Sequence, residues 1–255
     1  MDLNERTIGN HQFLSDILLT KDDIDKCIGS ISKLSQSLSE PIIITGSLAI
    51  LYHLLKSGKP TKKRQLNDID TVYLTDFSQI GHSLGRNFLI NHFHPLREKG
   101  KVLLQLVDEE YRTRIEVFTP QSDTLAQRLT NLKIGELTWR VVSAEDLLAK
   151  LLSIIYSILE DQSVDPKYAE SFNLLAEIAN QNVVQKVWQD YRKEGQFINF
   201  DEAAQSVKVK IAANPDLLQP TEYCQDINIQ CLWCRESEVF PIASRSQIHE
   251  ILAYV

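Results

Sequence analysis

Residues 42–47 read Ile-Ile-Ile-Thr-Gly-Ser, and residues 67–70 read Asn-Asp-Ile-Asp. The three isoleucines predict a buried strand, and the apolar periodicity of Ser47–Leu55 predicts a helix directly after it. The Gly46-Ser47 corner then lies at a helix N-terminus, where backbone N–H groups and the helix dipole favour a phosphate. Glycine also lets a ligand approach the backbone closely. We therefore expect Gly46 and Ser47 to bind phosphate.

The second stretch predicts a metal site. Asp68 and Asp70 are two positions apart, so both carboxylates point to the same face if Ile69–Leu74 is a strand. Mg²⁺ prefers hard oxygen ligands, and it is usually bound by one or two carboxylates together with substrate phosphates. Sites of this kind transfer phosphoryl or nucleotidyl groups. We expect Mg²⁺ as the cofactor, with Asp68 and Asp70 as its ligands.

A third carboxylate follows on a predicted hairpin. The runs Val102–Val107 and Arg112–Phe118 flank a short polar turn, which is typical of two antiparallel strands. In the second run Arg112, Arg114 and Glu116 alternate with residues that can pack, so one face is charged. Glu116 would complete a two-metal site, which needs more oxygen ligands than two side chains supply. For the two arginines, ion pairing with Glu116 and bidentate binding of a phosphate both stay open.

Composition narrows the class of protein. The chain has 255 residues, of which 43% are hydrophobic and 24% charged, as in ordinary globular proteins. Its net charge of −7 argues against broad affinity for duplex DNA, since such affinity comes from basic residues. No apolar run reaches the roughly 20 residues that span a bilayer, and the first residues lack the pattern of a signal peptide. We expect a cytoplasmic protein that does not enter a membrane.

Helical patterns dominate the second half of the chain. Ser143, with Asp146 three residues later, resembles a capping box and predicts the start of a helix. The apolar run Leu147–Leu159 predicts that this helix is buried. Further helical patterns cover Tyr168–Arg192 and Glu202–Ala213.

The first half mixes strands and helices. Beyond the stretches described above, the sequence predicts an amphipathic helix over Lys21–Leu38, a helix in much of Phe77–His92 and a strand near Leu137–Val142. The change in pattern predicts two domains, an α/β domain over residues 1–142 and a mostly helical domain over 143–255. The expected fold class is α+β, with a small mixed sheet flanked by helices and followed by the helical domain.

Two further features allow alternative interpretations. The basic loop Lys59–Arg64 is either a solvated linker or a grip on nucleic acid or triphosphate, and the first is favoured. Cys224, Cys231 and Cys234 are either buried free thiols or, with His249, zinc ligands. Their irregular spacing favours free thiols.

The order of the motifs resembles the nucleotidyltransferase superfamily of the polymerase-beta type. These proteins have a strand ending in Gly-Ser, a helix, Asp-x-Asp on the next strand and a later acidic residue on a third strand. The helical half is similar to that of the nucleotidyltransferase-like toxins of abortive-infection and type IV toxin–antitoxin systems. Lys150-Leu151 resembles their Lys-Leu pair, and the sequence 165–168, Asp-Pro-Lys-Tyr, falls where their later basic-acidic motif lies. Tyr168 stands where the family has an acidic residue.

The resemblance implies roles for six residues. Asp68 and Asp70 would bind Mg²⁺ that bridges the nucleotide phosphates, and Glu116 would complete the metal site or accept the proton of the attacking hydroxyl. The residues implied in holding the nucleotide are Gly46, Ser47 and Lys150. Arg114 is added as a candidate nucleotide-binding residue because of its place on the charged face of its strand.

The implied function is Mg²⁺-dependent transfer of NMP from an NTP to a hydroxyl acceptor. RNA, a protein or a small molecule such as an aminoglycoside are the acceptor classes that stay open, and kinship with the toxins would add an antitoxin protein as a partner. The alternative is a catalytically inactive member of the nucleotidyltransferase fold that recognises a nucleotide or a partner protein. Tyr168 favours this alternative modestly.

Overall fold

The structure, a computed structural model, describes residues 12–38, 41–74, 83–93, 99–100, 102–134 and 137–220. The described chain divides into two compact units. The first contains the described residues up to Leu48 together with Thr61–Val141, and the second contains Ala49–Pro60 and the chain from Val142 onward. The cluster of Cys224, Cys231, Cys234 and His249 lies outside the described residues.

A mixed seven-stranded sheet forms the first unit. Its order is β3-β4-β5-β2-β1-β7-β6, and the strands are β1 Ile43–Ile44, β2 Asp68–Val72, β3 Leu89–Phe93, β4 Val102–Asp108, β5 Thr113–Phe118, β6 Thr130–Ile134 and β7 Leu137–Val141. The pairs β2–β5 and β1–β7 are parallel, and the other neighbours are antiparallel. The predicted α+β class with a mixed sheet is confirmed.

Alternation along β2 separates an apolar side of the sheet from a polar one. Ile69 on β2 and Ile115 on β5 pair in register and are fully buried. Asp68 and Asp70, on either side of Ile69, remain partly exposed. Because successive side chains of a strand point to opposite faces, packing of the isoleucines fixes both carboxylates on the other face.

Among the described residues of the first unit, four helices begin: α1 Gln12–Ile17, α2 Lys21–Ser37, α3 Gly46–Lys56 and α4 Ser83–Asn87. The predicted amphipathic helix is confirmed as α2, whose buried face includes Cys27, Ile31 and Leu34. A capping box starts it: the Thr20 hydroxyl accepts from the Asp23 N–H at 3.1 Å, and the Asp23 carboxylate accepts from the Thr20 N–H at 3.1 Å.

The second unit is helical, with α5 Ala144–Asp161, α6 Pro166–Ala176, α7 Gln181–Tyr191 and α8 Phe200–Ala213. Ser143 caps α5 as predicted, because its hydroxyl accepts from the Asp146 N–H at 3.1 Å. The predicted helical stretch from Tyr168 to Arg192 forms two helices instead of one. Asn180 caps the second of them through its side chain, which accepts from the Asn182 N–H at 3.1 Å.

Two expectations about the sheet were wrong or incomplete. The helix expected in much of Phe77–His92 is only the five-residue α4 in its described part, and β3 follows directly. Pairing with β4 and burial of Ile90 in the core override the helical pattern. Strand β6, which the sequence analysis did not predict, pairs antiparallel with β7. None of the described helices is long and apolar enough to cross a membrane.

Candidate functional site

Asp70 lies directly against Gly46. Strands β1 and β2 are antiparallel, and the Thr45 N–H donates to the Asp70 carbonyl oxygen at 2.9 Å. A Cβ added to Gly46, whose φ is +61°, would lie 1.8 Å from Asp70 Oδ2. Any other residue would have to displace the carboxylate and adopt a left-handed backbone conformation. The two sequence motifs therefore meet at this contact.

Helix α3 begins at Gly46, and Ser47 is exposed in its first turn. The first N–H groups of an α-helix have no partner within the helix and carry the positive end of its dipole. A phosphate at this N-terminus would come close to the Asp70 carboxylate. Because two anions repel, the arrangement favours phosphate binding only with a cation between them.

Arg114 holds Asp68 and Glu116. The parallel register of β2 and β5 places Asp68 opposite Arg114 and Asp70 opposite Glu116. Arg114 Nη2 lies 3.1 Å from Asp68 Oδ2, and Arg114 Nε lies 3.7 Å from Glu116 Oε1. The arginine is almost buried, whereas the side chains of Asp68 and Glu116 are 24% and 22% exposed. Of the two roles left open for Arg114, ion pairing is the one present.

Arg112 does not share this face, so the expectation that it lies on the strand was wrong. The strand β5 begins at Thr113, and Arg112 is an exposed turn residue with a φ of 51°. This left-handed conformation closes the turn that joins β4 to β5, which removes Arg112 from the alternation of the strand.

Gln105 and Asn91 extend the polar row, and the sequence analysis did not include them. Gln105 pairs in register with Glu116 across β4 and β5, and its Nε2 donates to Glu116 Oε1 at 3.2 Å. Asn91 Nδ2 donates to Gln105 Oε1 at 2.8 Å. One signal for Gln105 was present in the sequence: it is the only polar residue in the apolar run Val102–Val107.

The chemistry of these side chains fits Mg²⁺ through two carboxylates. Among the described residues, no three His, Cys, Asp or Glu side chains are grouped so that they could hold one metal ion. The Arg114 guanidinium contacts both Asp68 and Glu116. Asp68 and Asp70 still provide hard oxygens on one face beside a helix N-terminus, which suits an ion that takes its other ligands from substrate phosphates and water.

The remaining predicted residues belong to the helical unit or to the basic loop. Lys150 lies half-buried on α5. Tyr168 is in the first turn of α6, which Asp165 caps by accepting from the Lys167 N–H at 2.9 Å. In the basic loop, Lys59 forms an ion pair with Glu177, which favours a structural role for this lysine.

Three solved structures resemble this chain at low identity. A nucleotidyltransferase-like protein from Paracoccidioides brasiliensis, described as antigenic, is 18% identical over 82% of this chain and 98% of its own, with a TM-score of 0.45. The antibiotic-resistance factor ANT(2'')-Ia in solution is 14% identical over 73% of this chain and 96% of its own, with a TM-score of 0.44. In complex with adenylyl-2''-tobramycin it is 15% identical over 65% of this chain and 94% of its own, with a TM-score of 0.41.

No protein-family model matches the sequence, and no curated protein matches it significantly. What this chain does is therefore inferred from its own residues, and above all from the contact of Asp70 with Gly46 and the ion pairs of Arg114.

Proposed function

We propose that this protein is a Mg²⁺-dependent nucleotidyltransferase that transfers NMP from an NTP to a hydroxyl acceptor. The observation that carries the proposal is the position of Asp70, which lies against Gly46 at the start of α3 and opposite Glu116 in the sheet. A phosphate-binding helix N-terminus and hard oxygen ligands thus adjoin within one unit. This combination suits a triphosphate bound with a divalent cation.

In the proposed reaction, the oxygen of the acceptor hydroxyl attacks the α-phosphorus of the NTP. The bond from that phosphorus to the oxygen bridging to the β-phosphorus breaks, and pyrophosphate leaves with the bonding electrons. The proton of the hydroxyl passes to Glu116 or to water. Mg²⁺ bound by Asp68 and Asp70 would neutralise charge on the phosphate oxygens.

The chain's own basic and polar groups bind the nucleotide in this proposal. Backbone N–H groups at Gly46 and Ser47 hold phosphate oxygens. When a divalent cation occupies the Asp pair, Arg114 loses the electrostatic advantage of its contact with Asp68 and becomes available to a phosphate. Lys150 neutralises the triphosphate or the leaving pyrophosphate, a role taken from the family resemblance. The same resemblance suggests an antitoxin protein as a partner, and a cytoplasmic location is the expectation from the sequence.

Label transfer from each of the four α-labelled NTPs tests the proposal. The protein is incubated with Mg²⁺ and, as acceptors, cell RNA, its own chain and an aminoglycoside. We expect Asp68→Ala/Asp70→Ala to lower transfer about a thousandfold, equivalent to roughly 4 kcal/mol of transition-state stabilisation. The matched control is Asp22→Ala/Asp25→Ala, which removes two exposed carboxylates of α2 that form surface ion pairs. Transfer that is absent from the unaltered protein, or equal in both double variants, would disprove catalysis.

A catalytically inactive nucleotide-binding protein is the second candidate. The ion pair of Arg114 with Asp68 favours it, because a guanidinium already neutralises one of the two aspartates. In that case an NTP with Mg²⁺ stabilises the protein, by about 2.7 kcal/mol at 100-fold excess over Kd, while no label is transferred. The absence of any thermal shift with all four NTPs would exclude both candidates.

A further inference from the structure

We infer that Gln105 is a positioning residue, which holds the Glu116 carboxylate on the face that carries Asp68 and Asp70. This inference rests on the proposed function and extends it to a side chain that would not touch the nucleotide. Gln105, Glu116 and Asp70 form one row across β4, β5 and β2, because each is paired in register with the next. Directly paired residues of neighbouring strands present their side chains to the same face of a sheet.

Burial makes Gln105 unsuited to binding a ligand itself. Its side chain is enclosed, with the residue only 2% exposed, between Leu104 and Leu106 of the apolar run. A buried amide must have its donor and acceptor satisfied, because an unpaired polar group in the interior is destabilising. Gln105 meets this requirement by donating to Glu116 and accepting from Asn91.

The position of Asn91 fixes the direction of the Gln105 amide. Ile90 pairs with Leu106 and His92 pairs with Gln105, so Asn91 is the extra residue of a β-bulge. Bulges redirect a side chain, and here the bulged residue donates from Nδ2 to Gln105 Oε1. With its oxygen occupied by a donor, the amide of Gln105 presents its Nε2 to the Glu116 carboxylate.

Gln105 and Arg114 act on the same oxygen of Glu116. Gln105 Nε2 lies 3.2 Å and Arg114 Nε lies 3.7 Å from Oε1. When Arg114 moves from the carboxylates to a phosphate, as proposed above, Gln105 remains as the fixed contact of Glu116. In the proposed function, Glu116 then joins Asp68 and Asp70 around the metal ion, and hydrogen bonds that orient metal-site carboxylates typically contribute 10–100-fold to metal affinity.

A double-mutant cycle on Mn²⁺ binding tests the inference. Free Mn²⁺ is measured by electron paramagnetic resonance in the presence of the full chain, using Gln105→Met, Glu116→Ala and the double variant. Methionine keeps the length of the side chain and removes the donor. We expect Gln105→Met to weaken Mn²⁺ binding about tenfold, and to cause no further loss when Glu116 is already alanine.

The outcomes separate this inference from the proposed function. If the unaltered protein does not bind Mn²⁺, the proposed function and the inference both fail. If it binds Mn²⁺ but Gln105→Met binds equally well, or loses the same factor with and without Glu116, only the inference fails. Should Gln105→Met not fold, Asn91→Ala replaces it in the cycle. That variant leaves Gln105 in place, and its loss of affinity must likewise disappear in the Glu116→Ala background.

Discussion

Carboxylates have different surroundings in the two units. In the helical unit, Asp146 is fully buried, and its two oxygens accept from neutral hydroxyls, Ser143 Oγ at 2.6 Å and Tyr191 Oη at 3.1 Å. In the sheet unit, Asp68 and Glu116 remain partly exposed and share the Arg114 guanidinium. The first carboxylate ties α5 to α7. Asp68 and Glu116 are instead held by a cationic side chain, Arg114.

The difference shows which carboxylates can change partner. Replacing the Tyr191 hydroxyl would break a contact between α5 and α7, and replacing that of Ser143 would remove the cap of α5, so this carboxylate is structural. A guanidinium between partly exposed carboxylates can give way to another cation without unfolding its strands, because water and the new ion can satisfy the oxygens. In the proposed function, the partly exposed carboxylates beside the N-terminus of α3 are therefore the ones that exchange the guanidinium for a metal ion.

The largest effect is expected at Gly46, whose backbone lies directly against the Asp70 carboxylate. Gly46→Ala places a Cβ 1.8 Å from Asp70 Oδ2 at a φ of +61°, and we expect it to lower the free energy of unfolding by about 4 kcal/mol through clash and backbone strain. Gly58→Ala is the matched control, because its φ is +69° and nothing lies within 4 Å of the added Cβ. It should cost only about 1–2 kcal/mol.

Urea denaturation measures the free energy of unfolding of both glycine variants. Mn²⁺ binding of the folded protein is measured beside it and should be lost in Gly46→Ala and kept in Gly58→Ala. Equal losses of stability in the two variants would mean that backbone strain alone explains the effect and that Asp70 does not depend on the glycine.

The next largest effect is expected at Asp146. Asp146→Ala leaves the hydroxyls of Ser143 and Tyr191 without their acceptor in the interior, which should lower the free energy of unfolding by about 3 kcal/mol. Tyr191→Phe removes one of the two donors and keeps the ring, so about 1 kcal/mol is expected. Denaturant titration checks both values. A loss below that of Tyr191→Phe would show that Asp146 is not the structural carboxylate described above.

Arg114 should have a smaller effect on stability. Arg114→Gln leaves Asp68 and Glu116 without their shared cation, and the free energy of unfolding without metal should fall by about 1–2 kcal/mol. Mg²⁺ should then restore more stability to this variant than to the unaltered protein, because the ion no longer competes with a guanidinium. Thermal unfolding with and without Mg²⁺ measures this difference.

Arg114→Lys is the control, since it keeps the charge and loses the forked geometry. Its metal-free stability should lie between the other two proteins. If Mg²⁺ stabilises all three equally, Arg114 and the ion do not compete, and the proposed exchange of cations is wrong.

Sequence reasoning reached the residues whose patterns are local. The alternation of Asp68, Ile69 and Asp70 fixes a face of β2, and Ser143 with Asp146 fixes the start of α5, because strand periodicity and helix capping depend on neighbours along the chain. The position of Gly46 at the junction of strand and helix could be predicted in the same way. These signals were sufficient for the α+β class.

What the sequence could not provide depends on pairing between distant segments. The contact of Asn91 with Gln105 requires the bulge in β3 and its register with β4, neither of which a helical interpretation of residues 77–92 allowed. The alternation of the sequence predicted that Arg112 and Arg114 lie on the same strand face, but Arg112 lies in the turn with a left-handed conformation. The ion pairs of Arg114 likewise follow from the parallel pairing of β2 and β5, which are 40 or more residues apart by sequence number.

The smallest effect is expected at His53 of the helical unit. Like Asp146, it is a polar side chain whose hydrogen bond joins two segments of that unit. Its Nε2 lies 2.8 Å from the Val142 carbonyl oxygen, and Tyr52 packs edge-on against the ring at 5.1 Å between centroids. Burial lowers the pKa of the imidazole below its ordinary value of 6.5, Lys56 lowers it further, and the Val142 carbonyl and Glu145 oppose the shift. The folded protein therefore favours the neutral ring.

The lowered pKa makes the free energy of unfolding depend on pH. As the pH falls below 6.5 the unfolded chain binds a proton at His53 that the folded protein does not, so stability is complete above that pH and declines below it, levelling off under the lowered pKa. His53→Gln keeps a side-chain N–H for the Val142 carbonyl but does not titrate. Its urea midpoint should fall less than that of the unaltered protein between about pH 8 and pH 5. Parallel curves would mean that His53 keeps its ordinary pKa in the folded protein.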